Sequence, residues 1–85
     1  MRRVAFIPKA FEYFTEWSSI DKKTYGRIVE LIKDVQRNPF TGIGKPEPLK
    51  HELTGLWSRR INEEHRLVYK VDDEEIVIVS CKFHY

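Results

Sequence analysis

Pro46-Glu47-Pro48 holds a carboxylate between two prolines, and His84 is the next-to-last side chain of the sequence. Free side chains titrate near ~4.3 for Glu and ~6.5 for His, so the two can share proton transfers around neutrality. Cleaving RNA without a metal needs such a pair. A base takes the 2′-OH proton, an acid protonates the departing 5′ oxygen, and cations steady the charge on phosphorus. Cations are at hand in Arg59, Arg60, Arg66, Lys70 and Lys82. Arginine offers a phosphate two donors side by side, and lysine a point charge. Taken singly, each of these residues also fits a bland role. A Glu in a proline-rich loop is ordinarily on the surface, and a penultimate His is ordinarily part of a frayed end. A row of charged side chains is as easily a solvated face. His51, beside Lys50 in a loop, and His65, in a turn, are surface residues by default. Ser58 and Ser80 have no adjacent His/Asp pattern that would support a nucleophilic triad.

These side chains must be positioned by the elements around them. Val4-Ala5-Phe6-Ile7 is a short apolar run that predicts a buried strand, stopped by Pro8, which is also welcome at a helix start. Ala10, Phe11, Phe14 and Trp17 recur at helical spacing until Ser18-Ser19. Asp21 is a good N-cap for a second helix, lined on one face by Tyr25, Ile28, Val29, Ile32 and Val35 and ended by Asn38-Pro39. Residues 39–55 carry all the remaining prolines and glycines except Gly26, and 41–48 read as irregular, with Glu47 held extended between two prolines. Residues 56–61, 66–71 and 76–84 read as strands joined by polar turns at 62–65 and 72–75, and such neighbours pair antiparallel. The expected fold is α+β: an antiparallel sheet with two N-terminal helices packed on one face, one domain over residues 1–85.

Alternation then sorts the strands. Leu67, Tyr69 and Val71 share one face, and Arg66, Val68 and Lys70 the other. In the last strand Val77, Val79, Cys81 and Phe83 are expected on the apolar face, with Ile76, Ile78, Ser80, Lys82 and His84 opposite. Arg59 and Arg60 point opposite ways, so one of them joins each face. Trp57 and Tyr69 are core or rim residues, and Cys81 a buried, inert thiol. The uncovered face should therefore collect Arg66, Lys70, Lys82, His84 and one of Arg59 or Arg60. Residues 45–85 carry 7 basic and 8 acidic side chains, but the acids sit mainly in the turns. A nearly neutral half can thus present a cationic surface.

Composition narrows the field. The chain has 85 residues, 41% of them hydrophobic and 13% aromatic, which suits one folded core and argues against disorder. With 15 Lys plus Arg against 13 Asp plus Glu, a polybasic tail or a strongly acidic chain is excluded. One cysteine, Cys81, excludes an internal disulfide and makes the reducing cytoplasm the expected home. No apolar run reaches a membrane span or the core of a signal peptide. With no Cys-x-x-Cys and three scattered histidines, a structural zinc site is not expected.

Several stretches resemble one family closely. They are Leu31-Ile32-Lys33-Asp34, Pro39-Phe40, Gly44-Lys45-Pro46-Glu47-Pro48-Leu49-Lys50, Leu53, Gly55, Trp57-Ser58-Arg59-Arg60-Ile61, Glu64-His65-Arg66-Leu67-Val68-Tyr69, Cys81 and His84-Tyr85. Together they look like the Txe/YoeB toxins of the RelE/ParE superfamily of bacterial toxin–antitoxin systems, over nearly the whole chain. Arg2-Arg3 and Phe6-Ile7-Pro8-Lys9-Ala10 depart from the family's usual start, where a Trp and a polar N-cap are common.

The resemblance implies an mRNA interferase that binds the bacterial ribosome and cuts message in the A site, with no cofactor or metal. It implies catalytic roles for Glu47, Arg66, His84 and Tyr85. Lys50 and Arg60 match positions associated with RNA contact, and Lys82 and His51 join them in the expected RNA-binding set. Implied partners are a YefM-type antitoxin, the ribosome, mRNA and a second copy of the chain. Two rivals stay open: a ParE-like poison of DNA gyrase on the same fold, and an RNA-binding module that does not cut.

Overall fold

The computed structural model describes residues 1–83; His84 and Tyr85 lie outside the described residues. Apolar Val4-Ala5-Phe6 falls in the first strand, β1 (Arg3–Phe6), and Pro8 opens α1 (Pro8–Ile20) directly behind it. Proline fits there because the first helical N–H has no partner within the helix. α1 buries Ala10 and Trp17, with Tyr13 and Phe14 half buried, whereas Phe11, expected in the same stripe, is exposed. Asp21 caps α2 (Lys22–Arg37) by accepting from the backbone N–H of Lys23 and Thr24. The buried stripe of α2 is Thr24, Ile28, Leu31 and Val35, an i, i+4, i+7, i+11 series. Tyr25, Val29 and Ile32, expected at its centre, flank it half buried.

Four further strands follow: β2 (Glu47–Pro48), β3 (Leu56–Arg60), β4 (Arg66–Val71) and β5 (Glu75–Ser80). The sheet order is β1-β5-β4-β3-β2. The meander β2 to β5 is antiparallel as expected, but β1 lies parallel to β5, so the sheet is mixed. A parallel neighbour needs a long crossover, and the helices and meander between β1 and β5 supply it. Glu47-Pro48 is a paired edge strand and not irregular chain; Pro48 is tolerated because an edge leaves one side of the backbone unpaired. No helix among the described residues is long and apolar enough to cross a membrane.

Both helices cover one sheet face, where Ala10, Trp17, Ile28, Leu31 and Val35 meet Leu67, Tyr69, Ile76 and Ile78. The expected faces of β4 hold for Leu67 and Tyr69; those of β5 are inverted over residues 76–79. Ile76 and Ile78 are fully buried, while Val77 and Val79 are half exposed. The cause is a bulge. Val68 pairs with Ser80 but Tyr69 pairs with Ile78, so Val79 is an extra residue and the alternation resets across it. Ser80 thereby falls beside Val68, and Cys81 returns to the core, fully buried as expected. β5 also ends at Ser80 rather than continuing to residue 84, and Phe83, expected on the apolar face, is 55% exposed.

Candidate functional site

The approach to Glu47 is organised from beneath the sheet by Arg59. Its side chain is 0% exposed, on the covered face between Trp57 and Ile61. A guanidinium has five N–H donors, and each finds an acceptor. Nε donates to the Tyr69 hydroxyl, Nη1 to Asp34 Oδ2 and the Ile43 carbonyl, and Nη2 to the carbonyls of Asn38 and Thr41. The Tyr69 hydroxyl in turn donates to the Pro39 carbonyl at 2.7 Å. The loop between α2 and β2 is therefore wrapped around one buried cation. That cation holds the Asp34 carboxyl below the usual carboxylate range, and burial raises the Tyr69 phenol. Gly44 closes the loop at φ +78, where its carbonyl accepts from Arg60 N–H at 2.6 Å. A Cβ there would stand 2.8 Å from Leu31 Cδ2, so only glycine fits.

The loop delivers Glu47 to the edge of the uncovered face. Directly paired residues point the same way, so the register Glu47–Ser58–Val68–Ser80 is one row across four strands. Arg60 pairs with Arg66 in the next row on one side; Leu56, Lys70 and Val77 form the next row on the other. Glu47 and Arg60 are thus diagonal neighbours on adjacent strands, within reach of long side chains, and Arg66 is one strand further on. Among the described residues Glu47 forms no ion pair. Arg66 is docked through Nη1 alone, which donates to the carbonyls of Asn62 (2.6 Å) and His65 (3.1 Å). Among the described residues its Nε–Nη2 edge stays unengaged, and that edge matches two phosphate oxygens. Ser58, Val68 and Ser80, the rest of Glu47's row, are themselves buried, whereas Glu47 and Arg60 are exposed, so the acid and the nearest cation stand at the open edge of this face.

Not every expected site residue joins this group. Lys50 is exposed two residues past β2, and His51 is exposed at the head of a short 3-10 turn (His51–Leu53) with φ +58. Lys82 leaves the uncovered face. With β5 ended, its ammonium lies 5.1 Å from the centre of the Tyr13 ring on α1 and 5.4 Å from that of Phe83. There it lines a cavity of about 380 Å³ with Ile7, Lys9, Tyr13, Val79 and Ser80. The expected acid His84 and its neighbour Tyr85 lie outside the described residues.

His65 is the clearest correction. Expected at the surface, it is 6% exposed, packed edge-on against Trp17 with ring centres 4.9 Å apart. A signal was available. His65 has the parity of Leu67 and Tyr69, so extending their alternation back by one step puts it on the covered side. The same rule separates the two arginines, since Arg59 shares parity with Trp57 and Ile61.

Comparison with known proteins agrees with this architecture. A family model described as YoeB-like toxin of bacterial type II toxin-antitoxin systems matches residues 6–85. Toxin YoeB of Mycobacterium bovis is 54% identical over 85 residues, covering 100% of both chains. A solved YoeB dimer from Staphylococcus aureus superposes with a TM-score of 0.92 at 54% identity, covering 99% of this chain and 98% of that one. A YoeB–YefM complex from the same organism contains a chain matching at TM-score 0.90 and 52% identity, covering 100% and 99%.

Proposed function

The chain belongs to the YoeB-like toxins of bacterial type II toxin–antitoxin systems, and on that premise we propose that it is a ribosome-dependent mRNA endonuclease cutting in the A site. The observation that carries this reading is the grouping of Glu47, Arg60 and Arg66 on the uncovered sheet face. A carboxylate and two guanidiniums on one face suit a phosphodiester bound across them. Glu47 takes the 2′-OH proton. The 2′ oxygen attacks the adjacent phosphorus, and Arg66, with Arg60 and Lys50, steadies the charge that develops. His84 protonates the leaving 5′ oxygen, and Tyr85 holds the base or phosphate. The products are a 2′,3′-cyclic phosphate and a 5′-OH, formed without a metal. A solved relative is described in complex with YefM and another as a dimer; a YefM-type antitoxin and a second copy are the partners proposed for this chain.

Primer extension on a defined mRNA, with and without bacterial ribosomes, tests the proposal. The expected result is a ribosome-dependent cut within the A-site codon that persists in EDTA, leaves a 5′-OH and is lost in His84→Ala. A 5′-phosphate on the downstream fragment contradicts the chemistry. Intact message under arrested growth, with DNA breaks accumulating, points to a gyrase poison instead.

A further inference from the structure

We infer that His65 is a positioning residue, which fixes the backbone of Phe83, the residue that precedes the proposed acid His84; this rests on the cleavage proposed above. β5 stops at Ser80, yet the backbone beyond it is held at every step. The Trp17 indole N–H donates to the Cys81 carbonyl at 3.0 Å, and the Ser80 hydroxyl to the Lys82 carbonyl at 3.0 Å. Both backbone groups of Phe83 are taken: its N–H donates to His65 Nδ1 at 2.8 Å, and its carbonyl accepts from Arg66 N–H at 2.8 Å. Phe83 is the residue before His84.

A neutral imidazole has one acceptor nitrogen. Since Nδ1 accepts, the proton is on Nε2, which points toward Glu64 Oε1 at 3.7 Å. The ring is locked on its other side by Trp17, the same side chain that holds Cys81. Phe83 has φ +61. A bulky side chain avoids that region, and such a conformation persists only where its surroundings over-determine it. Two backbone hydrogen bonds here, one donated to a buried histidine and one accepted from the first residue of β4, meet that condition. Arg66 offers the guanidinium proposed to meet phosphate and holds the Phe83 carbonyl through its backbone N–H, so His65 and Arg66 together fix Phe83 relative to that cation.

The test uses two substitutions in the full chain. His65→Phe keeps a ring against Trp17 and removes the acceptor. His65→Asn keeps an acceptor oxygen where Nδ1 stands and removes the ring. In ribosome-dependent cleavage, His65→Phe is expected to lower kcat about 10- to 100-fold with KM unchanged, because misplacing a catalytic group costs turnover more than binding. His65→Asn is expected to recover most of that loss. Amide hydrogen exchange gives a readout independent of catalysis. His65→Phe should speed exchange at Phe83 about tenfold, as for one lost hydrogen bond, and leave Leu67 and Tyr69 unchanged. Cleavage by His65→Phe at the parent rate, or unaltered protection at Phe83, overturns the assignment. So does a loss in both variants that follows their thermal stability alone. A parent protein that cuts nothing defeats the cleavage reading instead, while the exchange measurement still decides whether His65 holds Phe83.

Discussion

Arg59 and Arg60 are adjacent, yet they face environments with little in common. Arg59 points into the covered face, is fully buried and spends all five donors on Asp34, Tyr69 and three loop carbonyls. Arg60 points to the uncovered face, is exposed, and pairs across the strand with Arg66, a like charge. Two guanidiniums side by side repel, and neither has an acid partner among the described residues. On the covered face, charge is saturated and serves the fold. On the uncovered face Arg66 spends one nitrogen on the turn carbonyls of Asn62 and His65, and the rest of the charge is left available for an anion.

The largest expected effect comes from exchanging the fates of these neighbours. Arg59→Met strands a carboxylate, a hydroxyl and three carbonyls, so about 3–5 kcal/mol of stability should be lost. That lowers the thermal midpoint by on the order of 20 °C in a chain this small. Arg60→Met should stay within about 0.5 kcal/mol of the parent. Thermal unfolding of both variants decides it; equal damage from the two would erase the distinction between the faces.

Next come Glu47→Gln and Arg66→Lys, expected to fold like the parent yet to cut message about 10²- to 10⁴-fold more slowly. Primer extension and thermal unfolding on the same preparations separate the two quantities. A cleavage loss that merely tracks instability would move these residues to the structural side of the comparison.

A smaller effect sharpens the covered side. Gly44→Ala forces a Cβ against Leu31 at a positive φ and should cost about 1–3 kcal/mol. Gly26→Ala, exposed on α2 with nothing within 4 Å of the added carbon, should gain about 0.5–1 kcal/mol. Urea unfolding of the pair reads both signs.

The smallest effect concerns pH. The Asp34 carboxyl sits below its ordinary value, chiefly because Arg59 donates to it. A depressed carboxyl contributes stability that is complete above the unfolded value near ~3.9 and is lost as pH falls through the folded one. Stability of the parent should therefore fall below about pH 4, and Asp34→Asn, less stable at neutrality, should show a shallower fall. An unchanged acid limb in that variant would mean that the Arg59–Asp34 pair does not couple to folding.

Much of the fold was legible. Pro8, Asp21 and Asn38-Pro39 mark helix ends through local backbone rules, and those rules act wherever the residues stand. Leu67 and Tyr69 fell on the covered face because strand alternation is local as well. The errors arose where a partner intervened. Val77 and Val79 were placed on the wrong face because the Val79 bulge exists only in the pairing with β4. Lys82 was placed on the sheet because nothing local announces that β5 ends at Ser80 and that the Tyr13 ring stands within reach of the lysine two residues later. The polar turn around His65 argues for the surface, yet the parity it shares with Leu67 prevails and the ring is buried.

For the site, the sequence by itself determined which chemistry was available. Glu47, Arg60, Arg66 and the surrounding motifs are matters of residue identity, and the resemblance they carry required no coordinates. It also determined that Arg59 and Arg60 must part, since successive side chains of a strand cannot share a face. Parity with Trp57 and Ile61 points to Arg59 as the covered one, but whether a guanidinium could be buried there was decided by tertiary structure. A buried guanidinium needs five acceptors, and here they come from α2, the 38–43 loop and β4. The placement of Glu47 diagonal to Arg60, with Arg66 one strand further on, was decided in the same way. It depends on the pairing of a two-residue edge strand with Trp57-Ser58, and register is a property of two segments that neither one carries alone.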